Sequence, residues 1–313
     1  MSKLDKLFYS YRWESAYRIN SKEELNFANC KTPFTLVSTQ KHHWCADPFL
    51  LEKDNCVYLF CEYTNEKKSK SYIAYKKLFP NEEKEWLLAY EFDGHTSYPC
   101  IFIYKNNLYM IPETIFNSKI VVLKYDFSSK KWLHHSTLLD NKNCPDTTFL
   151  EYNGLPYLFL YEIKSREERY LHFCLLDDEL KNINNDMIVK RYDCPDGRPG
   201  GNCFVFGNDH IRVVQPGINR YGEKISFRKF YFVDGVYHEE EMAEVLPGDI
   251  VLNSRKKPLG IHTYNRLGNV EVIDLLFKSK LDIFKPIKLL FKKIGIFGFG
   301  YYDLRKKRVF KNK

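Results

Sequence analysis

The 313 residues carry a formal net charge of +8, and 16% of them are aromatic. All-β domains reach this length as single domains, and 23 Tyr and 24 Phe suit both close sheet packing and stacking on sugars. The sequence shows no low-complexity segment, no long linker and no extended helical periodicity before residue 277. These features argue against a multidomain or largely helical chain.

A hairpin pattern recurs five times along the chain. The first copy, WCADPFLLEKDNCVYLFCE, has an acid before a proline, two apolar stretches around a polar turn, and a final acid. The copies open at Asp47, Tyr98, Asp146, Arg198 and His262, at intervals of 51, 48, 52 and 64 residues. Self-similarity near 50 residues predicts a blade-type repeat.

Two more strands are predicted after most hairpins, beginning with 71–78 and 85–92 after the first, then 119–127 and 131–139 after the second. Four antiparallel strands in each of five repeats predict an all-β protein, a five-bladed β-propeller over residues 1–276. The last repeat lacks its own outer pair. Residues 1–40, through strands within 12–39, are expected to supply it and close the ring.

The ends of the hairpins supply the candidate site residues. The start of one antiparallel strand and the end of the next lie at the same edge. The predicted neighbours are Asp47 with Glu62, Tyr98 with Glu113, Asp146 with Glu162, Arg198 with Gln215, and His262 with Asp274. Five blades would direct them into one polar funnel, and convergent polar groups in a concave pocket are typical of a binding site. The alternative is that these acids serve only local turn chemistry.

The cysteines and the N-terminus indicate a reduced environment. Nine cysteines form no paired framework, and MSKLDKLFYSYRW lacks an apolar core of signal-peptide length, so a cytoplasmic protein is predicted. The chain has no Cys-x-x-Cys pair, and the adjacent His42 and His43 would point to opposite faces of a strand. We therefore predict no metal site and no cofactor.

The basic charge is concentrated in residues 277–313, which contain twelve Lys/Arg and two acids. Within this tail, apolar residues from Ile283 to Ile294 would share one face of a helix, with lysines on another. A basic amphipathic helix of this kind predicts binding to an anionic membrane surface. The alternative is a helix packed on the propeller. Nucleic acid is not a predicted partner, because the propeller shows no basic stripe with spaced aromatics.

Several of these motifs resemble a known domain. WCADPFLL, SYPCIFIYKNNLYMIPET, PDTTFL and GRPGG resemble the propeller at the N-terminus of plant glucosamine inositolphosphorylceramide transferases, which also occurs in bacterial proteins from surface-polysaccharide gene clusters. That domain is similar in turn to the five-bladed propellers of family 43 glycoside hydrolases. The resemblance covers roughly residues 40–275, and ADPFL and YMIPET are its more specific parts. Trp44, in the first of these motifs, is a candidate substrate contact.

The resemblance implies two of the three acids of family 43. Asp47 matches the general base and Asp146 the aspartate that tunes the acid, but GRPGG places Arg198 where an acidic donor is expected. An arginine remains protonated at neutral pH and cannot donate a proton to a leaving oxygen. Glu62, Glu113 or Glu162 could substitute, and the sequence does not select one. Asp47, Asp146 and Glu113 are the candidate catalytic set.

Arg198 also suggests a different ligand. Gly200 and Gly201 follow it, and their amides could approach a ligand, while Arg220 lies further along. Two arginines suit a phosphate or carboxylate, as in a nucleotide sugar or a lipid-linked sugar. A salt bridge from Arg198 to Asp146 or Glu162 that only braces the funnel is the alternative.

Three function classes remain open from the sequence. The first is an enzyme of bacterial surface-glycan biosynthesis at the cytoplasmic membrane face, transferring a sugar with Asp47 as base. The second is a glycoside hydrolase, and the third is a glycan-binding module that partners a glycosyltransferase. No second domain is predicted within these residues, which favours the first. The sequence does not predict the oligomeric state.

Overall fold

The computed structural model describes residues 8–20, 25, 27, 30–66, 70–92, 94–114 and 118–278. Its strands within these residues are β1 (Tyr11–Ile19), β2 (Thr35–Leu36), β3 (His43–Lys53), β4 (Cys56–Asn65), β5 (Lys70–Phe79), β6 (Leu87–Tyr90), β7 (Ser97–Tyr104), β8 (Asn107–Glu113), β9 (Lys119–Asp126), β10 (Lys131–Asp140), β11 (Thr148–Tyr152), β12 (Leu155–Ile163), β13 (Arg169–Leu176), β14 (Ile183–Tyr192), β15 (Phe204–Phe206), β16 (Asp209–Val214), β17 (Ile225–Val233), β18 (Val236–Val245), β19 (Gly260–Leu267) and β20 (Val270–Lys278). A 3-10 turn spans Pro247–Asp249.

These strands form five four-stranded sheets in the described part of the chain, and each sheet is one blade. Strands β3–β6, β7–β10, β11–β14 and β15–β18 make blades 1 to 4 in chain order. Blade 5 has the order β19, β20, β1, β2. The predicted all-β five-bladed propeller is confirmed, and the start of the chain supplies the outer strands of blade 5.

Blade 5 joins the two ends of the propeller through buried polar contacts. Arg18 on β1 forms an ion pair with Glu271 on β20, and both side chains are almost fully buried. The Asn20 N–H donates to the Asn269 carbonyl at 2.7 Å. Removing one partner of a buried ion pair leaves an uncompensated charge, so this pair holds the closure in place.

Tight turns set the hairpin register. The two-residue turns at 54–55, 105–106 and 153–154 all have positive φ at both positions, as type I′ turns require. They coincide with the KDN, YKNN and EYNG stretches of the repeat. Because the turn fixes which residues pair across a hairpin, the openings of successive copies fall at equivalent places.

Aromatic side chains fill the space between neighbouring blades. Phe102 of β7 and Phe149 of β11 stack at 3.7 Å between ring centroids, which packs blade 2 on blade 3. Phe159 of β12 meets Phe230 of β17 edge to face at 5.2 Å, packing blade 3 on blade 4. Such pairs stabilise the fold beyond the burial of their area.

The chain divides into two units, of which Trp13–Phe277 holds the propeller except for the ends of β1 and β20. The other unit comprises Met1–Arg12 and Lys278–Lys313. The predicted tail begins inside β20, because that strand runs to Lys278. Its basic amphipathic helix lies outside the described residues, so the boundary at 277 stays a prediction. None of the described helical segments has the length and apolar character to cross a membrane.

Candidate functional site

Three of the five predicted openers lie in β-bulges, each in the first hairpin of its blade. In blade 1 the pairing skips between Ala46 and Phe49, so two residues of β3 face one residue of β4. The same irregularity occurs in blades 2 and 5. The first bulged residues are Asp47, Tyr98 and His262, which are predicted openers. A bulge bends its strand and redirects side chains, often beside an active site.

Three openers also have a left-handed backbone, which is uncommon for residues other than glycine. The φ angles are 48° at Asp47, 43° at Tyr98 and 55° at Asp146. Such a conformation costs about 1–3 kcal/mol and persists only where the surroundings hold it, typically at functional sites. Its recurrence in three blades indicates a geometry that the repeat itself imposes.

Carboxylates at these edges accept the backbone N–H groups of the opening residues of neighbouring blades. Asp274 accepts the N–H of Asp47 at 2.9 Å, and Asp47 accepts the N–H of Tyr98 at 3.2 Å. Glu113 accepts the N–H of Asp146 at 3.0 Å. A buried amide without a partner is costly, so these bonds fasten adjacent blades together. The acids at the hairpin ends therefore have a structural role in addition to any functional one.

His262 lies between two carboxylates, with 3% of its side chain exposed. Its Nε2 is 3.2 Å from Asp47 Oδ1, and its Nδ1 is 2.8 Å from Asp274 Oδ2, off the direction of a hydrogen bond. Burial alone would lower the pKa of His262, but the two negative charges outweigh it and raise the pKa to about 10. Burial would raise the pKa of Asp47, and His262 reverses this and lowers it. An imidazolium between two carboxylates results at neutral pH.

A second charged group surrounds Arg198, whose side chain is 25% exposed. The guanidinium pairs with Asp146 through Nε, and its Nη2 lies 3.4 Å from Glu113 Oε2. Gln215 donates to the same Asp146 oxygen at 2.7 Å. Burial raises the pKa of Asp146 well above its usual range; Arg198 counteracts this and Glu113 adds to it. The alternative of a salt bridge that braces the funnel therefore agrees with the contacts of Arg198. The guanidinium pairs with Asp146, as expected, and its second partner is Glu113 rather than Glu162.

Glu62 is a third buried carboxylate at this edge. Its Oε1 accepts hydrogen bonds from Ser71 at 2.6 Å and Thr64 at 3.2 Å, and His95 Nε2 lies 3.6 Å away. Burial raises the pKa of Glu62, and the nearby negative charge of Asp47 raises it further, against the effect of His95. Glu62 and Asp47 are therefore two carboxyl groups whose pKa values move in opposite directions.

Two aromatic rings that the sequence analysis missed flank these charges. Trp13 of β1 lies 4.0 Å from the His262 ring between centroids, and Tyr221 lies 4.9 Å from the same ring. The Arg198 guanidinium lies 5.7 Å from the Tyr221 ring centroid. Tyr221 is 52% exposed. Tyr221 therefore contacts both the His262 and the Arg198 group, and the two rings present aromatic surface beside them.

We call the charged and polar residues at these strand ends the rim cluster: Asp47, Glu62, Glu113, Asp146, Arg198, Gln215 and His262. All seven were candidate site residues. His262 contacts Asp47, and Arg198, Glu113 and Gln215 contact Asp146, while Glu62 pairs across the hairpin with Ala46, next to Asp47. Their catalytic and binding roles stay predictions.

The remaining four candidates are not members of the rim cluster. The Tyr98 ring is fully buried. Its hydroxyl lies 2.8 Å from Thr148 Oγ1 and accepts the Gly201 N–H at 2.8 Å, so Tyr98 stabilises the backbone next to the cluster. Glu162 contacts His172 at 3.1 Å and not Arg198. Trp44 is half-buried at the start of β3. Arg220 is exposed in the loop before β17.

The expectation that the glycine amides approach a ligand is wrong. The Gly200 N–H donates to the Val213 carbonyl at 3.0 Å, and the Gly201 N–H donates to the Tyr98 hydroxyl. A Cβ on Gly201, which has φ of 147°, would lie 1.8 Å from the Tyr264 carbonyl oxygen. The glycines are required because the backbones of blades 4 and 5 come into direct contact there.

Among the described residues, two groups have ligand atoms close enough for a metal: Asp47 with His262 and Asp274, and His172 with Cys174 and Asp186. In the first group the two carboxylates raise the pKa of His262 to about 10, against the effect of burial, which keeps the ring protonated at neutral pH. A protonated imidazole has no lone pair for a metal. The first group is therefore better described as an ion-pair network.

Comparison with known proteins assigns the family. Residues 27–275 match the family model for the N-terminal part of glucosamine inositolphosphorylceramide transferase 1. The chain belongs to this family. Glucosamine inositolphosphorylceramide transferase 1 of Oryza sativa, from the indica and the japonica subspecies, is 26% identical over 206 residues. The match covers 63% of this chain but 27% of those relatives, so the chain spans about a quarter of their length.

Solved structures share the fold at low sequence identity. The catalytic domain of a family 62 α-L-arabinofuranosidase from Coprinopsis cinerea is 11% identical, with a TM-score of 0.53 over 87% of this chain and 98% of that one. A family 117 glycoside hydrolase of Zobellia galactanivorans is 10% identical, with a TM-score of 0.51 over 87% and 91%. A family 43 α-L-arabinofuranosidase of Clostridium thermocellum is 11% identical, with a TM-score of 0.51 over 72% and 79%. These likenesses confirm the similarity of the fold to glycoside hydrolase propellers.

Proposed function

We propose that the rim cluster binds a glycan during sugar transfer in the biosynthesis of a bacterial surface glycan. The observation that carries this proposal is the partly exposed pair Trp13 and Tyr221 beside the charged groups of His262 and Arg198. Aromatic rings with a few fixed polar groups are the usual lining of a small-molecule site. Membership in a family named for a sugar transferase supports the carbohydrate class.

Binding fits the site better than general-base catalysis by Asp47. Thr263 donates to Asp47 Oδ1 at 2.8 Å, His262 Nε2 lies 3.2 Å from the same oxygen, and the Tyr98 N–H donates to Oδ2. A general base works best with a pKa near the operating pH, and the pKa of Asp47 is lowered. These contacts favour a role in presenting the glycan to a transferase.

Sugar transfer by the chain itself is the second candidate. The observation that favours it is the opposite movement of the Asp47 and Glu62 pKa values, since such pairs often mark an acid and a base. Asp47 would act on an acceptor hydroxyl, and Glu62 would donate the proton to the leaving group. In this candidate the chain is an enzyme.

Hydrolysis is the weaker alternative. Inverting hydrolysis requires a proton donor and a base on opposite sides of the sugar. Arg198 stands where the resemblance to family 43 expects the donor, and it remains charged. The Nε and Nη2 groups of the same guanidinium already contact Asp146 and Glu113, so an anionic ligand would have to compete with these two carboxyl groups. A neutral sugar therefore suits the site better than a phosphate.

Location at the cytoplasmic membrane face is part of the same proposal. The net charge of +10 in residues 277–313 is the supporting observation. A segment with clustered Lys and Arg residues is attracted to the negative surface of a membrane that contains anionic lipids. Such binding would bring the rim cluster to lipid-linked glycans.

A single set of measurements separates the candidates. Binding would be screened on a glycan array, and product formation with nucleotide-sugar donors, for the wild type and for Asp47→Asn and Glu62→Gln. A module predicts glycan binding without product in any protein. An enzyme predicts product in the wild type and a loss of about 10²–10⁴-fold in Asp47→Asn with binding retained. Neither binding nor product in a folded wild-type protein would contradict the proposed function.

A further inference from the structure

Blade 3 carries a group of metal-ligand side chains on its two outer strands. His172 and Cys174 lie on β13 and Asp186 on β14, and their ligand atoms all lie within 4.8 Å of one another. His172 Nδ1 is 2.6 Å from Asp186 Oδ1, and Cys174 Sγ is 3.2 Å from the same oxygen. His172 and Cys174 are buried, whereas 34% of the Asp186 side chain is exposed, which leaves a route from solvent.

The sheet geometry brings these three residues together. His172 and Cys174 are two residues apart on one strand, so their side chains project from the same face. Cys174 is the direct cross-strand partner of Asp186. Opposite residues on neighbouring antiparallel strands have Cβ atoms about 4.5–5.5 Å apart, so their side chains can reach a common point.

The other nitrogen of His172 contacts a second carboxylate. Nε2 lies 3.1 Å from Glu162 Oε2 on β12, which leaves Nδ1 toward Asp186 and Cys174. Metal-bound histidines almost always donate their second ring N–H to a carboxylate or carbonyl, which fixes the ring orientation. Glu162 occupies that position for a metal on Nδ1.

We propose that His172 Nδ1, Cys174 Sγ and the Asp186 carboxylate bind one zinc ion. The combination of nitrogen, sulfur and oxygen donors suits zinc, whereas magnesium, calcium and manganese prefer all-oxygen sites. Three protein ligands leave a fourth position. A water molecule would fill it, as in zinc sites with three protein ligands.

The observed distances require only a small adjustment. Zinc lies about 2.0–2.2 Å from nitrogen and oxygen and about 2.3 Å from sulfur. Ligand atoms of such a tetrahedron are about 3.3–3.6 Å apart by geometry. The present separations of 2.6 Å and 3.2 Å are hydrogen-bond distances, and they widen when the metal displaces the shared protons. Asp186, as the partly exposed ligand, can make this shift.

The competing explanation is an ion pair without metal. In that case His172 would only contact Glu162 and Asp186, and Lys142 would contact Asp186 Oδ2, which lies 3.6 Å from its Nζ. The two explanations differ at Cys174, because in the ion pair its thiol adds only one weak hydrogen bond to Asp186, whereas zinc binding requires its thiolate as a ligand. Cysteine substitution is therefore the discriminating change.

The experiment uses the full chain without a polyhistidine tag, purified under reducing conditions and freed of metal with a chelator. Zinc binding is measured by competition with a chromogenic chelator, and cobalt substitution reports thiolate ligation by its charge-transfer absorption. We expect one zinc per chain and at least a tenfold weaker affinity in Cys174→Ser and Asp186→Asn. Glu162→Gln should retain the stoichiometry and lose about 10–100-fold in affinity.

Cys203→Ser is the matched control, because Cys203 is also a free cysteine but is only half-buried and lies outside the cluster. It should bind zinc as the wild type does. If Cys174→Ser fails to fold, Asp186→Asn, with its partly exposed side chain, keeps the test decisive. Absence of zinc binding in the folded wild type, or equal affinity in the wild type and both cluster variants, would overturn the proposal.

Discussion

Replacement of His262 by glutamine tests whether the ion-pair network of His262 with Asp47 and Asp274 stabilises the propeller. The change keeps a polar side chain of similar size but removes the positive charge between Asp47 and Asp274. Both carboxylates would then be buried without a counter-charge. Breaking a buried ion pair in this way costs about 3–5 kcal/mol, and we expect His262→Gln to lose stability of that order at pH 7.

The pH dependence gives a sharper signature than the loss itself. The pKa of His262 is raised from an ordinary 6.5 to about 10 in the folded state. Between these pH values the folded protein keeps a proton that the unfolded chain releases, so stability falls as pH rises. The slope is about 1.4 kcal/mol per pH unit, or nearly 3 kcal/mol from pH 7 to pH 9. Below pH 6.5 the contribution of this group is fully present.

The assay is urea denaturation at pH 7 and pH 9, followed by tryptophan fluorescence. The wild type should lose about 3 kcal/mol more than His262→Gln over this interval. Titrating groups that do not contact His262 are common to both proteins and cancel in the comparison. His238→Gln is the control, because His238 is exposed on β18 and should leave the wild-type pH dependence unchanged. Identical pH dependence in the wild type and His262→Gln would refute the assignment of a buried imidazolium.

Three other predictions follow from the fold and the tail. Glu271→Gln leaves the buried Arg18 without its counter-charge, and urea denaturation should show a loss of about 3–5 kcal/mol, unlike exposed Glu85→Gln. Phe149→Ala removes the 3.7 Å stack between blades 2 and 3 and should cost about 3–5 kcal/mol in the same assay; a loss under 1 kcal/mol would contradict the packing. Deletion of 279–313 should abolish sedimentation with anionic liposomes, and full-length binding should weaken with salt, because the screening length is about 8 Å at physiological ionic strength. Salt-insensitive binding by both proteins would contradict the membrane role of the tail.

The architecture was predictable because its signals are local. The KDN, YKNN and EYNG turns and the spacing of openers near 50 residues are readable from short stretches, and each blade repeats them. The need for β1 and β2 in blade 5 followed from counting strands. The carboxylates of the rim cluster were also identified, because strand ends converge in any propeller.

The aromatic neighbours of the rim cluster were less predictable, because they depend on contacts between distant parts of the chain. Trp13 reaches His262 only after the start of the chain joins blade 5, and Tyr221 lies in a loop without a local motif. Gly200 and Gly201 suggested ligand contact, although the proximity of blade 5 explains them. The His172, Cys174 and Asp186 group spans two strands and has no short metal-binding spacing.

The most direct test of the proposed glycan site is the affinity of the best array glycan for the wild type and Tyr221→Ala, measured by calorimetry. Tyr221 is half-exposed, so its truncation should leave the fold intact. Tyr231→Ala on β17, whose ring stacks on His238 on the outer strands, is the control. We predict at least tenfold weaker binding by Tyr221→Ala, about 1.4 kcal/mol, and wild-type affinity for Tyr231→Ala. Equal affinity for all three proteins would contradict glycan binding at the rim cluster.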